Sequence, residues 1–151
     1  MSRIELMPWN EARAEASVIR DTVFVDEQKV PAEMEMDELD PRCVHALAYS
    51  EERRAVGTGR LLPDGHIGRM AVLKAWRRKG IGGAILERLV AAALERGDRE
   101  VALSAQIHAL EFYRRHGFVE EGEVYEEAGI VHQAMRRKLV TGEPRFPRTP
   151  S

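Results

Sequence analysis

Arg77, Gly80 and Gly82 fall within RRKGIGGAIL, residues 77–86, where three basic residues run into a Gly-x-Gly pair and then an apolar run. A strand-like stretch ends just before, at Val72 or Leu73, so the loop delivers the chain into a helix that opens near Gly80. The first turn of a helix has N–H groups without intrahelical partners and carries about half a positive elementary charge. Glycine lets the backbone come close to a bulky anion. Arg77, Arg78 and Lys79 add formal positive charge beside those N–H groups. Together these features predict a pyrophosphate site. Two familiar phosphate loops fail on spacing: there is no G-x-x-x-x-G-K-[ST], and in G-x-G-x-x-G the third glycine position is Ile85. What fits is R-x-x-G-x-G.

The elements that must position this loop follow from periodicity. Residues 4–9 (IELMPW) form a short strand closed by Pro8, and Asn10 is the expected N-cap of the next helix. In that helix Ala12, Ala16, Ile19, Val23 and Phe24 share one face. Residues 33–40 (EMEMDELD) read as an acidic loop. Strand-like runs at 44–49, 56–62 and 66–73, with a turn signal in PDG at 63–65, predict an antiparallel meander. After the glycine loop, Ile81, Ile85, Leu86, Leu89, Val90, Ala93 and Leu94 make a wide apolar helical stripe, with Gly97 as C-terminal cap. VALSAQ at 101–106 follows as a strand parallel to the one before the helix. A short helix over 109–116 buries Ala109, Phe112 and Tyr113 and stops at Gly117. Residues 118–139 read as a closing strand pair, and the three-proline tail at 141–151 as disordered. The expected architecture is a single mixed α+β domain over residues 1–140, with one layer of sheet carrying helices on its faces.

Composition narrows the function classes. The 151 residues are 44% hydrophobic and 32% charged with a net charge of −2, a globular balance that argues against a dedicated nucleic-acid binder. Cys43 is the sole cysteine, which excludes an internal disulfide and a zinc site built on several cysteines, and suggests a reducing cytoplasm. No apolar run is long enough for a membrane span, and no signal-peptide core is visible.

The glycine loop in its strand–loop–helix context resembles the coenzyme A motif [QR]-x-x-G-x-[GA] of the GNAT superfamily of N-acetyltransferases. QIHALEFYRRHGF, residues 106–118, is similar to that family's second segment, A-x-x-F-Y-x-x-x-G-F, through Ala109, Phe112, Tyr113, Gly117 and Phe118. FVDEQKVP, DELD and GIVHQAM resemble a bacterial subgroup of the ElaA type. The resemblance spans residues 1–139, and the two motifs in this order and at this separation are strongly specific.

The resemblance implies a mostly antiparallel sheet in which two parallel strands, 66–73 and 101–106, splay apart around acetyl-CoA. Met70, Ala71 and Val72 would pair with the pantetheine arm, and the Val72 N–H would face the thioester oxygen. The pyrophosphate would take N–H groups from Arg77, Arg78, Lys79, Gly80, Ile81 and Gly82. Gln106, His108 and Phe112 are further expected cofactor contacts. Tyr113 matches the general acid that protonates the departing thiolate; the alternative is a purely core tyrosine. No motif marks the general base, for which Glu27, Glu35, Asp37, Asp40, His45, His108, Glu126 and His132 are candidates. His45 and His132 read as structural or solvent-facing strand residues, the acidic loop as solvated rather than as a lure for a cationic amine, and the basic run at 136–138 as a solvated face. No metal site is expected.

The implied function is transfer of an acetyl group to a primary amine of a small molecule or peptide, by direct attack in a ternary complex. Cys43 lies outside both motifs, so an acetyl-cysteine intermediate is set aside. A non-catalytic acyl-CoA sensor on the same fold is the alternative, against which Tyr113 weighs. Neither nucleic acid nor membrane is an expected partner, and a homodimer is open because many relatives of the family are dimers.

Overall fold

The computed structural model describes residues 3–31 and 38–139. The chain runs β1 (Arg3–Met7), α1 (Trp9–Arg20), β2 (Val44–Tyr49), β3 (Ala55–Leu61), β4 (Ile67–Val72), α2 (Ile81–Glu95), β5 (Glu100–Gln106), α3 (Leu110–Arg115), β6 (Val119–Glu127) and β7 (Ile130–Lys138). The expected meander is present as an antiparallel sheet in the order β1-β2-β3-β4, and the closing hairpin joins a second sheet in the order β5-β7-β6. The expected single layer is thus two sheets. They meet at a parallel bridge between His66 and Ala102, where the Ala102 N–H donates to Gly65 O at 3.1 Å. Beyond it β4 loses its neighbour and β5 turns its other edge to β7, which opens the V between the strands.

Helix α2 covers one face. Its Ile81, Ile85, Leu86, Leu89, Val90 and Ala93 are buried against Ala46, Val56, Leu61, Leu103 and Met135. Each of the five Ile, Leu and Val side chains contributes about 1.5–3 kcal/mol on burial. The helix lies so close to β3 that a Cβ on Gly57 or Gly59 would stand 2.9 Å from Ile85 methyl carbons. Glycine at those positions sets the depth to which α2 sinks. The opposite face takes α1 through Ala12, Ala16 and Ile19, which pack with Leu47 and Ala71.

Four local expectations change. Pro8, not Asn10, caps α1: the Pro8 carbonyl accepts the N–H groups of Glu11 and Ala12 at 3.1 and 3.0 Å. Trp9 packs against the α1 core and the His45 ring, and that contact starts the helix earlier than side-chain capping would. The helical face through Phe24 does not run on as α-helix, because residues Asp21–Glu27 widen into a π-helix. Val23 stays buried while Phe24 turns to the cleft. The third change concerns residues 109–116, which are a 3-10 turn followed by a short α3, leaving Ala109, Phe112 and Tyr113 half-buried. The basic run on β7 is ion-paired, Arg136 with Glu100 and Glu121, and Arg137 with Glu87. Residues 141–151 lie outside the described residues.

Of the acidic loop, residues 33–37 lie outside the described residues. Asp40 at its end is the reverse of solvated. It is 1% exposed and accepts hydrogen bonds from Arg20 (3.0 Å) and Arg60 (2.7 Å). Arg20 lies over the Trp9 ring, and the His45 ring shares the cluster with Nε2 2.8 Å from the Asp40 carbonyl. Two guanidinium groups can hold a buried carboxylate where water cannot.

Candidate active site

The V between β4 and β5 opens into a cavity of about 530 Å³, walled by both strands, by the π-helical segment and by the β6–β7 hairpin. A β-bulge shapes its β4 wall. Thr58 faces Ala71 and Arg60 faces Gly68, so Gly59 stands opposite both Arg69 and Met70, and Arg69 adopts φ +49°. Past the bulge the register sorts the backbone. The Leu73 N–H donates to Val56 O at 2.9 Å, so 73–56 is a hydrogen-bonded pair, and 71–58 falls in the same phase. Ala71 therefore turns its N–H and C=O to β3, and its side chain is buried under α1. Val72 turns its N–H and C=O the other way. The Arg77 Nε confirms that direction by donating to Val72 O at 2.7 Å. Of the β4 residues expected to pair with a cofactor, Ala71 turns its backbone to β3 and Val72 turns its backbone away from β3. Met70 lines the cavity.

The glycine segment is built as its spacing suggests, with one exception. Gly80 is the N-cap of α2 at φ +83°, a left-handed conformation that side chains resist. The Ala84 N–H reaches back to Gly80 O at 3.0 Å, and the N–H groups of the first turn point out of the helix. Arg78 and Lys79 are exposed, whereas the Ile81 side chain is buried in the core. Gly82 faces Phe112, which sits edge-on to Tyr113 at 5.0 Å between centroids. The exception is Arg77. Its N–H is bonded to Lys74 O at 3.3 Å, and its guanidinium joins Val72 O to the Glu27 carboxylate at 2.8 Å. Arg77 thus ties the glycine turn to β4 and to the π-helical segment.

Tyr113 lines the cavity, half-buried, edge-on to Phe112 and Phe118. Burial pushes its phenol up to about 12, so it keeps its proton at any working pH. Gln106 and His108 stand beside it. The His108 Nε2 donates to Gln106 Oε1 at 2.8 Å, and the Gln106 amide donates to Gln28 Oε1 at 2.9 Å, linking the end of β5 to the π-helical segment. On the floor the Ser104 hydroxyl bonds to the Tyr125 hydroxyl. Tyr125 in turn stacks on His132 with centroids 5.9 Å apart.

The proposed bases divide sharply. Asp40 and His45 are buried in the arginine cluster, where burial pulls the His45 imidazole below its ordinary value. Glu27 is held by Arg77, and Glu126 is exposed on β6 opposite Val131. Glu35 and Asp37 lie outside the described residues. His108 and His132 line the cavity. Residues the sequence reading passed over also line it: Phe24, Gln28, Ser104 and Arg69. For Ser104 a signal existed, since Ser104 and Gln106 alternate with apolar Leu103 and Ala105 and so share the polar face of β5. Phe24 and Gln28 fall in FVDEQKVP, which carried a resemblance but no role, because the π-helix that aims them has no local signature. Among the described residues no group of three His, Cys, Asp or Glu could hold a metal ion, and no helix is long and apolar enough to cross a membrane.

A model of the GNAT acetyltransferase domain matches residues 11–139. This chain belongs to the GNAT family. It is 40% identical over 131 residues to the uncharacterised N-acetyltransferase YjcF of Bacillus subtilis, covering 84% of this chain and 93% of that one. The crystal structure of an acyl-CoA N-acyltransferase from Pseudomonas aeruginosa superposes with a TM-score of 0.81 at 33% identity, over 91% of this chain and 99% of that one. Escherichia coli ElaA does so with a TM-score of 0.81 at 28% identity, over 91% and 100% of the two chains. As a GNAT protein the chain is an acyltransferase, and GNAT enzymes in general draw on acetyl-CoA and act on amines.

Proposed function

We propose that this GNAT protein moves an acetyl group from acetyl-CoA to a primary amine of a small molecule or peptide, by direct attack in a ternary complex. Tyr113 carries the reading: a phenol that stays protonated and lines the cleft together with residues of β4 and β5. Acetyl-CoA, when bound, supplies an activated acyl carbon and a thiolate leaving group. The N–H groups of Arg78, Lys79, Gly80, Ile81 and Gly82 receive its pyrophosphate, with Arg78 and Lys79 adding charge. Arg77 acts by fixing the turn. Met70 and Val72 meet the pantetheine arm, and Gln106, His108 and Phe112 border it. The Val72 N–H is directed toward the thioester oxygen, where such a donor lowers the barrier by about 3 kcal/mol. Tyr113 gives its proton to the departing sulfur.

The test is an acceptor screen that follows thiol release from acetyl-CoA across small amines and peptides. Amine-dependent release, with the acetylated amine found by mass spectrometry, supports the reading. Tight acetyl-CoA binding with no release over the whole panel refutes it.

A further inference from the structure

Three imidazoles line the cavity, those of His66, His108 and His132, and the structure distinguishes them. His66 is exposed, with its Nδ1 3.1 Å from the Asp64 carboxylate. His132 sits on β7 directly opposite Gln106, the last residue of β5, and opposite Tyr125 on β6. Its Nδ1 lies 2.8 Å from the carbonyl of Ile130. A carbonyl oxygen only accepts, so Nδ1 holds the proton and Nε2 presents a lone pair. The ring is half-buried and stacked at 23° on Tyr125, whose hydroxyl is tied to Ser104. Orientation and tautomer are both fixed. His108 is exposed at the cavity mouth on the 3-10 turn Ile107–Ala109, with Gln106 as its partner. The other charged and titratable groups lining the cavity are Arg60 on β3, Asp64 in the turn after it, Arg69 on β4, Glu127 on β6 and Tyr113 on α3, and Tyr125 on β6 stacks on the His132 ring itself.

We propose that His132 is the general base that deprotonates the acceptor ammonium. The inference rests on the amine-acetyltransferase reading above. An alkylammonium must lose a proton before its nitrogen can attack, and imidazole is the side chain that accepts one near neutrality. The His132 Nε2 takes that proton and passes it to solvent. The nitrogen lone pair then forms the C–N bond, and the C–S bond breaks with its electron pair left on sulfur. Tyr113 protonates the sulfur and regains a proton through solvent from the second amine hydrogen. One proton is released per turnover, the one His132 took. Acid and base thus come from different elements that line one cavity, Tyr113 from α3 and His132 from β7.

The experiment compares kcat/KM against pH for the wild-type enzyme, His132→Gln, His108→Gln and His66→Gln, using an amine found by the acceptor screen, with acetyl-CoA affinity measured in parallel. In the wild type the rate levels off once the base is deprotonated. His132→Gln is expected to lose ~10²–10⁴-fold near pH 7. Its rate should then climb about tenfold per pH unit toward the acceptor's own pKa of about 10, because only free amine remains reactive. Acetyl-CoA affinity should hold. A loss of constant size at every pH, or an unchanged profile, overturns the base, as does finding the lost plateau in His108→Gln or His66→Gln instead. No turnover by the wild type with any amine overturns the transferase reading and the base together. The tautomer is checked without a variant by 15N imidazole shifts in the wild-type protein. A bare Nε2 in the neutral ring of His132 supports the proposal, and the Nε2–H tautomer of the neutral ring overturns it.

Discussion

Replacing Gly82 by alanine should move stability and cofactor affinity in opposite directions. Gly82 lies in the first turn of α2 and has no left-handed φ. A Cβ there would meet Phe112 Cζ at 3.7 Å and Val72 Cγ2 at 3.9 Å, ordinary contact distances. The methyl group therefore costs nothing sterically in the free protein. Alanine also removes the excess backbone entropy of glycine, which is worth up to about 1 kcal/mol in a helix. For a domain of this size that raises Tm by ~2–4 °C. In the proposed site the same methyl group stands where the pyrophosphate would come within reach of the first-turn N–H groups. Loss of one charge-assisted hydrogen bond costs about 1.5–3 kcal/mol, or ~10–150-fold in Kd. Calorimetric titration with coenzyme A and a thermal melt measure the two effects on one sample. Acetyl-pantetheine, which lacks the diphosphate, is the control, and its turnover should be unaffected. An unchanged coenzyme A affinity, or an equal loss with acetyl-pantetheine, refutes the glycine turn as the diphosphate site.

Other outcomes follow from the same geometry. Gly80→Ala meets no atom within 4 Å but forces alanine to φ +83°, and should cost ~1–2 kcal/mol in urea denaturation. Tyr113→Phe should lower the turnover rate with little change in acetyl-CoA affinity; an unchanged rate would move the acid elsewhere. The raised Tyr113 phenol binds its proton in the folded state after the unfolded chain has lost it. Stability therefore falls as pH rises from about 10 to about 12. Tyr113→Phe should flatten part of that fall, with the raised Tyr49 accounting for the rest. Asp40→Ala leaves two buried guanidinium groups without their carboxylate, and a loss of ~3–5 kcal/mol is expected in chemical denaturation. A cost below about 1 kcal/mol there would show that water reaches the cluster.

The sequence by itself determined what depends on neighbours along the chain. The apolar stripe of α2, the meander with its PDG turn, the glycine N-cap and the helix stop at Gly117 are all local, set by 3.6- and 2-residue periods and by backbone freedom. The two motifs fixed the family for the same reason: each is a contiguous run whose spacing is its meaning. Only the tertiary structure decided matters that depend on residues far apart in the chain. Asp40 read as part of a solvated acidic loop, and it is buried because Arg20 and Arg60, each 20 residues away, converge on it. Arg77 read as a phosphate ligand, and Glu27, 50 residues earlier, turns it into a brace. Ala71 and Val72 are adjacent and both apolar, and only pairing with β3 sets their backbones in opposite directions. His45 and His132 read alike as strand histidines. Strand pairing alone placed one in the ion cluster and the other in the cavity, because a side chain's solvent and partners are set by what packs across from it.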